Sequence, residues 1–203
     1  MYSATLEQVK RDSGEKSYPI WLLLNPKHPA VRQNIWVPVL AEIQDKIYRE
    51  IHARIDTSDI YIRNAVSDAG IVPNTLNWWE AEVASEIEMF REEVLKYQPK
   101  ILISFGAFPF EFARRTCGIK PEKGPKAWSN SNLQEEFKRA MESFDISKTN
   151  TIPLIRRVFA GGRAAGDPTQ GGLRDGKSYF LDAGARIADK IIENRDSLKI
   201  WIE

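Results

Sequence analysis

The chain has almost no sulfur chemistry available to it. One of its 203 residues is cysteine, Cys117. No disulfide can close within it, and no single-chain four-cysteine zinc or iron–sulfur site can be assembled. Cys117 itself reads as a small, half-buried side chain at a helix end. A preponderance of one charge is also missing. Twenty-nine Lys and Arg stand against 28 Asp and Glu, for a formal net charge of +1, so any surface for a polyanion has to be a local patch. No apolar run approaches the ~20 residues of a membrane-spanning helix, and the opening MYSATLEQVKRDSGEK lacks the apolar stretch of a signal peptide. The expectation is a soluble, cytoplasmic protein with no membrane partner, no metal and no cofactor, its oligomeric state left open.

What is present is a strong alternation of apolar runs with helical patterns. The stretch Pro99–Arg115, PKILISFGAFPFEFARR, organises the rest. Five residues, Ile101 to Phe105, are too few for a helix and carry β-branched stiffness, which suits a buried central strand. Gly106 suits a sharp turn at the carboxyl end of that strand, and Pro109 is tolerated in the first turn of the helix that follows. Residues 1–17 are polar and read as a short helix or peripheral arm. Ile20–Leu24 is a first strand, stopped by Asn25-Pro26-Lys27-His28-Pro29. From Asn34 a helix puts Ile35, Val39, Leu40, Ile43, Ile47 and Ile51 on one face, and Asp59–Arg63 reads as a second strand, leading into Asn64. Asn77 and Glu80 open the next helix in capping-box fashion, with Trp79, Val83, Ile87, Phe90 and Val94 as its stripe.

After the helix of 108–116 come a Gly/Pro/Lys/Ser loop over 118–130 and a shorter helix from Ser131. Thr151–Phe159 reads as a fourth strand. A glycine-rich loop, taken as mobile over 160–177, precedes a last helix carrying Leu181, Ala185, Ala188, Ile191 and Ile192. Residues 198–202 read as an edge strand or packed tail. Strands alternating with helices predict an α/β fold with a mainly parallel sheet, in a single domain over 1–203. The glycine-rich loop reads as a mobile surface loop in preference to a phosphate cradle, because no Gly-Lys-Ser/Thr follows its glycines, and it does not stand after the first strand as a dinucleotide fingerprint would.

Three stretches together resemble the uracil-DNA glycosylase-like superfamily: Trp21-Leu-Leu-Leu-Asn-Pro-Lys-His28, Ile60-Tyr-Ile-Arg-Asn-Ala-Val66 and Pro99-Lys-Ile-Leu-Ile-Ser-Phe-Gly106. The resemblance runs from Tyr18 to Phe159 and is carried by the order and spacing of the three. It implies a three-layer α/β/α architecture with a four-stranded sheet in the order 2-1-3-4. It puts Asn25 where the family positions the attacking water, with His28 beside it, and Asn64 where the family reads the edge of the base. Trp36 is the nearest aromatic to serve as stacking platform, and Gly106 would leave room for a ligand across the crevice. The family's His-Pro-Ser-type closing loop is missing, since Ile152-Pro-Leu-Ile-Arg-Arg-Val-Phe159 stands in its place, and so are the cysteines of its iron–sulfur branches.

The activity so implied is hydrolysis of the N-glycosidic bond of uracil or another damaged base in DNA. That chemistry needs a flipped nucleotide, a polar base pocket, a placed water and stabilisation of charge on the departing base. Asn64 offers a donor and an acceptor, His28 could assist because an unperturbed imidazole has its pKa near neutrality, and Asn25 holds water through its carbonyl oxygen but is a poor base. Arg156, Arg157 and Arg163, with Arg174 and Lys177, would neutralise phosphates of a DNA partner. Two other readings remain: a catalytically inactive member binding nucleic acid or a nucleobase, and a small-molecule enzyme on an α/β sheet.

Overall fold

The structure is a computed structural model that describes residues 12–26, 32–67, 70, 81–119, 128–156 and 176–202. The elements in chain order are β1 (Ile20–Leu24), α1 (Arg32–Ile51), β2 (Arg54–Ile55), β3 (Tyr61–Asn64), α2 (Ala81–Tyr97), β4 (Ile101–Phe105), α3 (Ala107–Thr116), α4 (Asn130–Glu142), β5 (Asn150–Leu154), α5 (Gly176–Glu193) and β6 (Trp201–Ile202). They fall into two compact units, Met1–Pro29 with Asp56–Ile155, and Ala30–Ile55 with Arg156–Glu203. Among the described residues no helix is long and apolar enough to cross a membrane.

The first unit is built on a parallel sheet in the order β3-β1-β4-β5. Counting only the strands of this sheet, that is the expected 2-1-3-4. Every residue of β1 and of β4 is buried, as central strands covered on both faces require. Alternation puts Trp21, Leu23, Tyr61 and Leu102 on one face, where they meet Val83, Ile87, Phe90 and Val94 of α2 and Phe108 and Phe112 of α3. Trp21 lies edge-on to Tyr61 with ring centres 4.9 Å apart. Its indole N–H is satisfied by the Tyr18 carbonyl at 2.9 Å, so the largest side chain in the core leaves no polar group unpaired.

The strand boundaries differ from those expected, for local reasons. The second strand begins at Tyr61 rather than Asp59, because its register with β1 starts at Trp21↔Tyr61 and the Asp59 carbonyl is taken by the Glu15 amide. The fourth strand is 150–154, not 151–159. β4 ends at Phe105, opposite Leu154. The Gly106 amide then takes the Leu154 carbonyl at 2.7 Å, so nothing remains for a longer strand to pair with. Residues 157–159 lie outside the described residues. Pro153 sits in β5 without cost, since Asn150 and Leu154 turn their backbone groups toward β4 and alternation points position 153 to the open edge.

The peripheral arm is partly structured. Ser13 exchanges hydrogen bonds with Ile62 at 3.0 and 2.7 Å, in an antiparallel bridge that covers the outer edge of β3. The helix expected from Ser131 starts one residue earlier, capped by the Ser129 hydroxyl accepting from the Asn132 amide. The capping box at Asn77 and Glu80, the body of the loop over 118–130, and the glycine-rich loop up to 175 lie outside the described residues.

In the second unit α1 and α5 pack against each other. Val39, Leu40, Ile43 and Ile47 are buried on α1, as expected. On α5 the buried stripe is Ala183, Ile187, Ala188 and Ile191, rotated from the expected one, since Leu181, Ala185 and Ile192 are only half-buried. Gly184 explains the rotation. A Cβ there would stand 2.8 Å from the Val39 carbonyl, so the glycine has to sit at the closest approach of the helices. Lys46 of α1 bridges to Asp189 of α5. Residues 201–202 pair with 54–55 as a two-stranded antiparallel ribbon, an edge strand shorter than 198–202.

Candidate functional site

In the four-stranded sheet the chain from β1 continues to β3 on one side, and that from β4 continues to β5 on the other. A parallel sheet opens a crevice beyond the carboxyl ends of its strands at such a reversal. Three of the sequence-derived residues meet there. Leu24 pairs with Asn64, and the Ala65 amide donates to the Leu24 carbonyl at 2.8 Å. Asn64 therefore stands at the end of the strand beside the one that Asn25 follows. Continuing the pairing Leu23↔Ser104 by two residues brings Gly106 level with Asn25. Adjacent strands are ~4.8 Å apart, so Asn64, Asn25 and Gly106 occupy one rim. Asn25 and Asn64 are half-buried.

Gly106 has φ 95° and ψ 176°, a conformation essentially reserved for glycine. It ends β4 and caps α3, with its carbonyl accepting from Phe110 at 3.2 Å. The turn and the absent side chain are thus served by the same residue.

Behind Asn64 lies a polar network that spacing alone does not reveal. Arg63 alternates to the face opposite Asn64. Its guanidinium lies over the Phe90 ring (4.7 Å), donates to Glu93 at 3.2 Å and reaches back to the Asn64 carbonyl at 2.9 Å. Glu93 also accepts from Lys16 at 2.8 Å. Glu86, its side chain 9% exposed, stands 4.0 Å from Arg63. It accepts from both the amide of Ser67, at 3.1 Å, and the hydroxyl of Ser67. The carbonyl of Asn64 and the turn after it are therefore both tied to α2. A signal for Glu86 exists in the sequence, since it falls between Val83 and Phe90 on the core-facing stripe. Ser67 carries none.

The remaining candidates do not join this rim among the described residues. Trp36 lies in α1 of the second unit, half-buried, its indole Nε1 enclosed with no acceptor among the described residues. Arg156 also belongs to the second unit and is half-buried. His28, Arg157 and Arg163 lie outside the described residues. Cys117 is free, and burial pushes its thiol up to about 11, so at neutral pH it is a protonated, unreactive group. No group of three His, Cys, Asp or Glu able to hold a metal ion occurs among the described residues.

What the rim offers chemically is two amides, each both donor and acceptor, beside a glycine that leaves space. No family model matches the chain, and no curated protein matches it.

Proposed function

We propose that the chain is a divergent uracil-DNA glycosylase-like protein. In this reading it takes a nucleobase at the carboxyl ends of β1, β3 and β4, and hydrolyses the N-glycosidic bond of uracil or another damaged base in DNA. The observation that carries the proposal is the meeting of Asn25, Asn64 and Gly106 at adjacent strand ends beside the reversal of the sheet. The flipped base lies over Gly106, and the Asn64 amide pairs with its edge, donating to a carbonyl and accepting from a ring N–H. The Asn25 carbonyl oxygen holds the water that attacks the sugar, and His28 takes up its proton.

A second reading, binding without cleavage, is favoured by one feature. Asn25 is an amide and cannot accept a proton from water as a carboxylate would. A third, a small-molecule enzyme on the same rim, predicts no affinity for DNA.

Uracil-containing single- and double-stranded oligonucleotides, treated with alkali after incubation, separate the three. Strand scission that falls about a hundredfold in Asn25→Ala supports the glycosylase. Unchanged scission in that variant removes Asn25 from the reaction. Salt-dependent binding without scission selects the binding protein, and no binding at low salt selects the third reading.

A further inference from the structure

At the opposite end of the same sheet, where β5 begins, α3 and α4 leave a cleft of about 220 Å³. Its chemistry is different from that of the strand-end rim. Arg114, Arg139 and Lys148 line it with one carboxylate, Glu136, and the carboxylates of Glu111 and Asp145 stand 3.8 Å from Arg114 and Lys148.

Arg114 is the fixed point. Its side chain is only 12% exposed, and its guanidinium lies over the rings of Phe110 (5.6 Å) and Trp128 (5.1 Å). Trp128 is itself anchored, its indole donating to Glu111 at 2.8 Å, while the other oxygen of Glu111 accepts from Arg115 at 2.9 Å. The carboxylates of Glu111 and Glu136 each stand 3.8 Å from Arg114, close enough for attraction but too far for a hydrogen bond. A guanidinium has five N–H donors. Among the described residues Arg114 makes no hydrogen bond with any of them, and its Nε is closed off from solvent. A buried cation left in that state is unfavourable, and it calls for an acceptor.

The other two cations stand at the mouth, Arg139 70% exposed and paired with Glu136 at 2.5 Å, and Lys148 63% exposed and 3.8 Å from Asp145. Ion pairs this exposed are weak enough to exchange partners. Thr151 adds a hydroxyl to the cleft wall.

We propose that this cleft binds a small phosphate-bearing anion, inorganic phosphate or a phosphomonoester, with Arg114 as its anchor and Arg139 and Lys148 closing over it. Two features choose this class. A phosphate group presents three strong acceptor oxygens to the unused guanidinium donors of Arg114 and to the two outer cations, where a carboxylate presents two. The volume lies below the ~300–1,000 Å³ of sites that enclose drug-sized ligands, which suits a phosphate with a few carbons and not a nucleotide. The site is separate from the strand-end rim and does not depend on what binds there.

The test is calorimetric titration of the full chain with inorganic phosphate, with glycerol 3-phosphate and with acetate, against chloride at the same ionic strength. The expected result is saturable binding at one site per chain. Affinity should be about tenfold weaker in Arg114→Gln, the loss of a charge-assisted hydrogen-bonding partner, and weakened a few-fold in Lys148→Gln. Lys148 is exposed, so that variant keeps the fold and decides the matter if Arg114→Gln does not fold. No saturation beyond the chloride control, acetate binding as tightly as phosphate, or affinity unchanged in the variants that fold would each overturn the proposal.

Discussion

Glu86 shows how a single residue couples the hydrophobic framework to the candidate rim. It sits on the apolar stripe of α2 yet carries a charge, and that charge is balanced by Arg63 and by two donors from Ser67. Removing a buried acceptor leaves its donors to find water in a space that does not readily admit it. Glu86→Ala should therefore lower unfolding stability by about 2 kcal/mol, and Glu86→Gln, which keeps an oxygen for Ser67, by less than half as much. Urea denaturation checks this, and equal losses in the two variants would show that the charge rather than the hydrogen bonds matters. The helical spacing of Val83, Glu86, Ile87 and Phe90 exposes Glu86 as anomalous from sequence. Its partner Ser67 stands 19 positions away on a turn, a pairing that no periodicity records.

Among the elements, the two edges of the main sheet are protected by different means. β5 carries Pro153 where an N–H would face outward. β3 is covered by the segment at Ser13, and that segment depends on Gly14. Its φ is +82°, and a Cβ at this position would lie 2.0 Å from the Ile60 carbonyl oxygen. Gly14→Ala should therefore lift residues 12–15 off the edge. The Ile62 amide, which donates to the Ser13 carbonyl at 2.7 Å, should exchange at least about tenfold faster with solvent deuterium, while the amides of β4 keep their protection. Unchanged exchange at Ile62 would show that the edge is protected in another way. The polarity of 1–17 in the sequence suggests a loose arm, because the pairing uses backbone groups that every residue possesses.

For the molecule as a whole, three buried acids share a direction. Burial raises the thiol of Cys117 to about 11. It also raises the phenol of Tyr18, helped by Asp56 and Asp59, and the phenol of Tyr61, helped by its hydrogen bond to Asp12. Each native group holds its proton to higher pH than in the unfolded chain, where the ordinary values are 9.0 for the thiol and 10.0 for the phenols. The unfolded state thus releases protons first. Stability from these groups is fully present below about pH 9 and is lost as pH rises toward 11 and beyond. The urea midpoint should fall across that range, and less steeply in Cys117→Ser. A midpoint flat to pH 11 would contradict the burial of all three.

The sequence by itself determined the alternation of elements, the identity of the central strands and the positions of their ends. Apolar runs too short for helices, bounded by Asn25-Pro26, Asn64 and Gly106, leave the backbone little choice, and right-handed crossovers restrict the strand order. That is why Asn25, Asn64 and Gly106 could be placed at strand ends from spacing alone. Tertiary structure alone decided where β5 stops, how α5 is rotated, what ties the turn at Ser67 and which cations line the cleft at Arg114. Each of these depends on a partner distant in the chain: Gly106 for Leu154, Val39 for Gly184, Glu86 for Ser67, Trp128 and Glu136 for Arg114. Local patterning reports which face a residue presents, and only folding determines what that face meets.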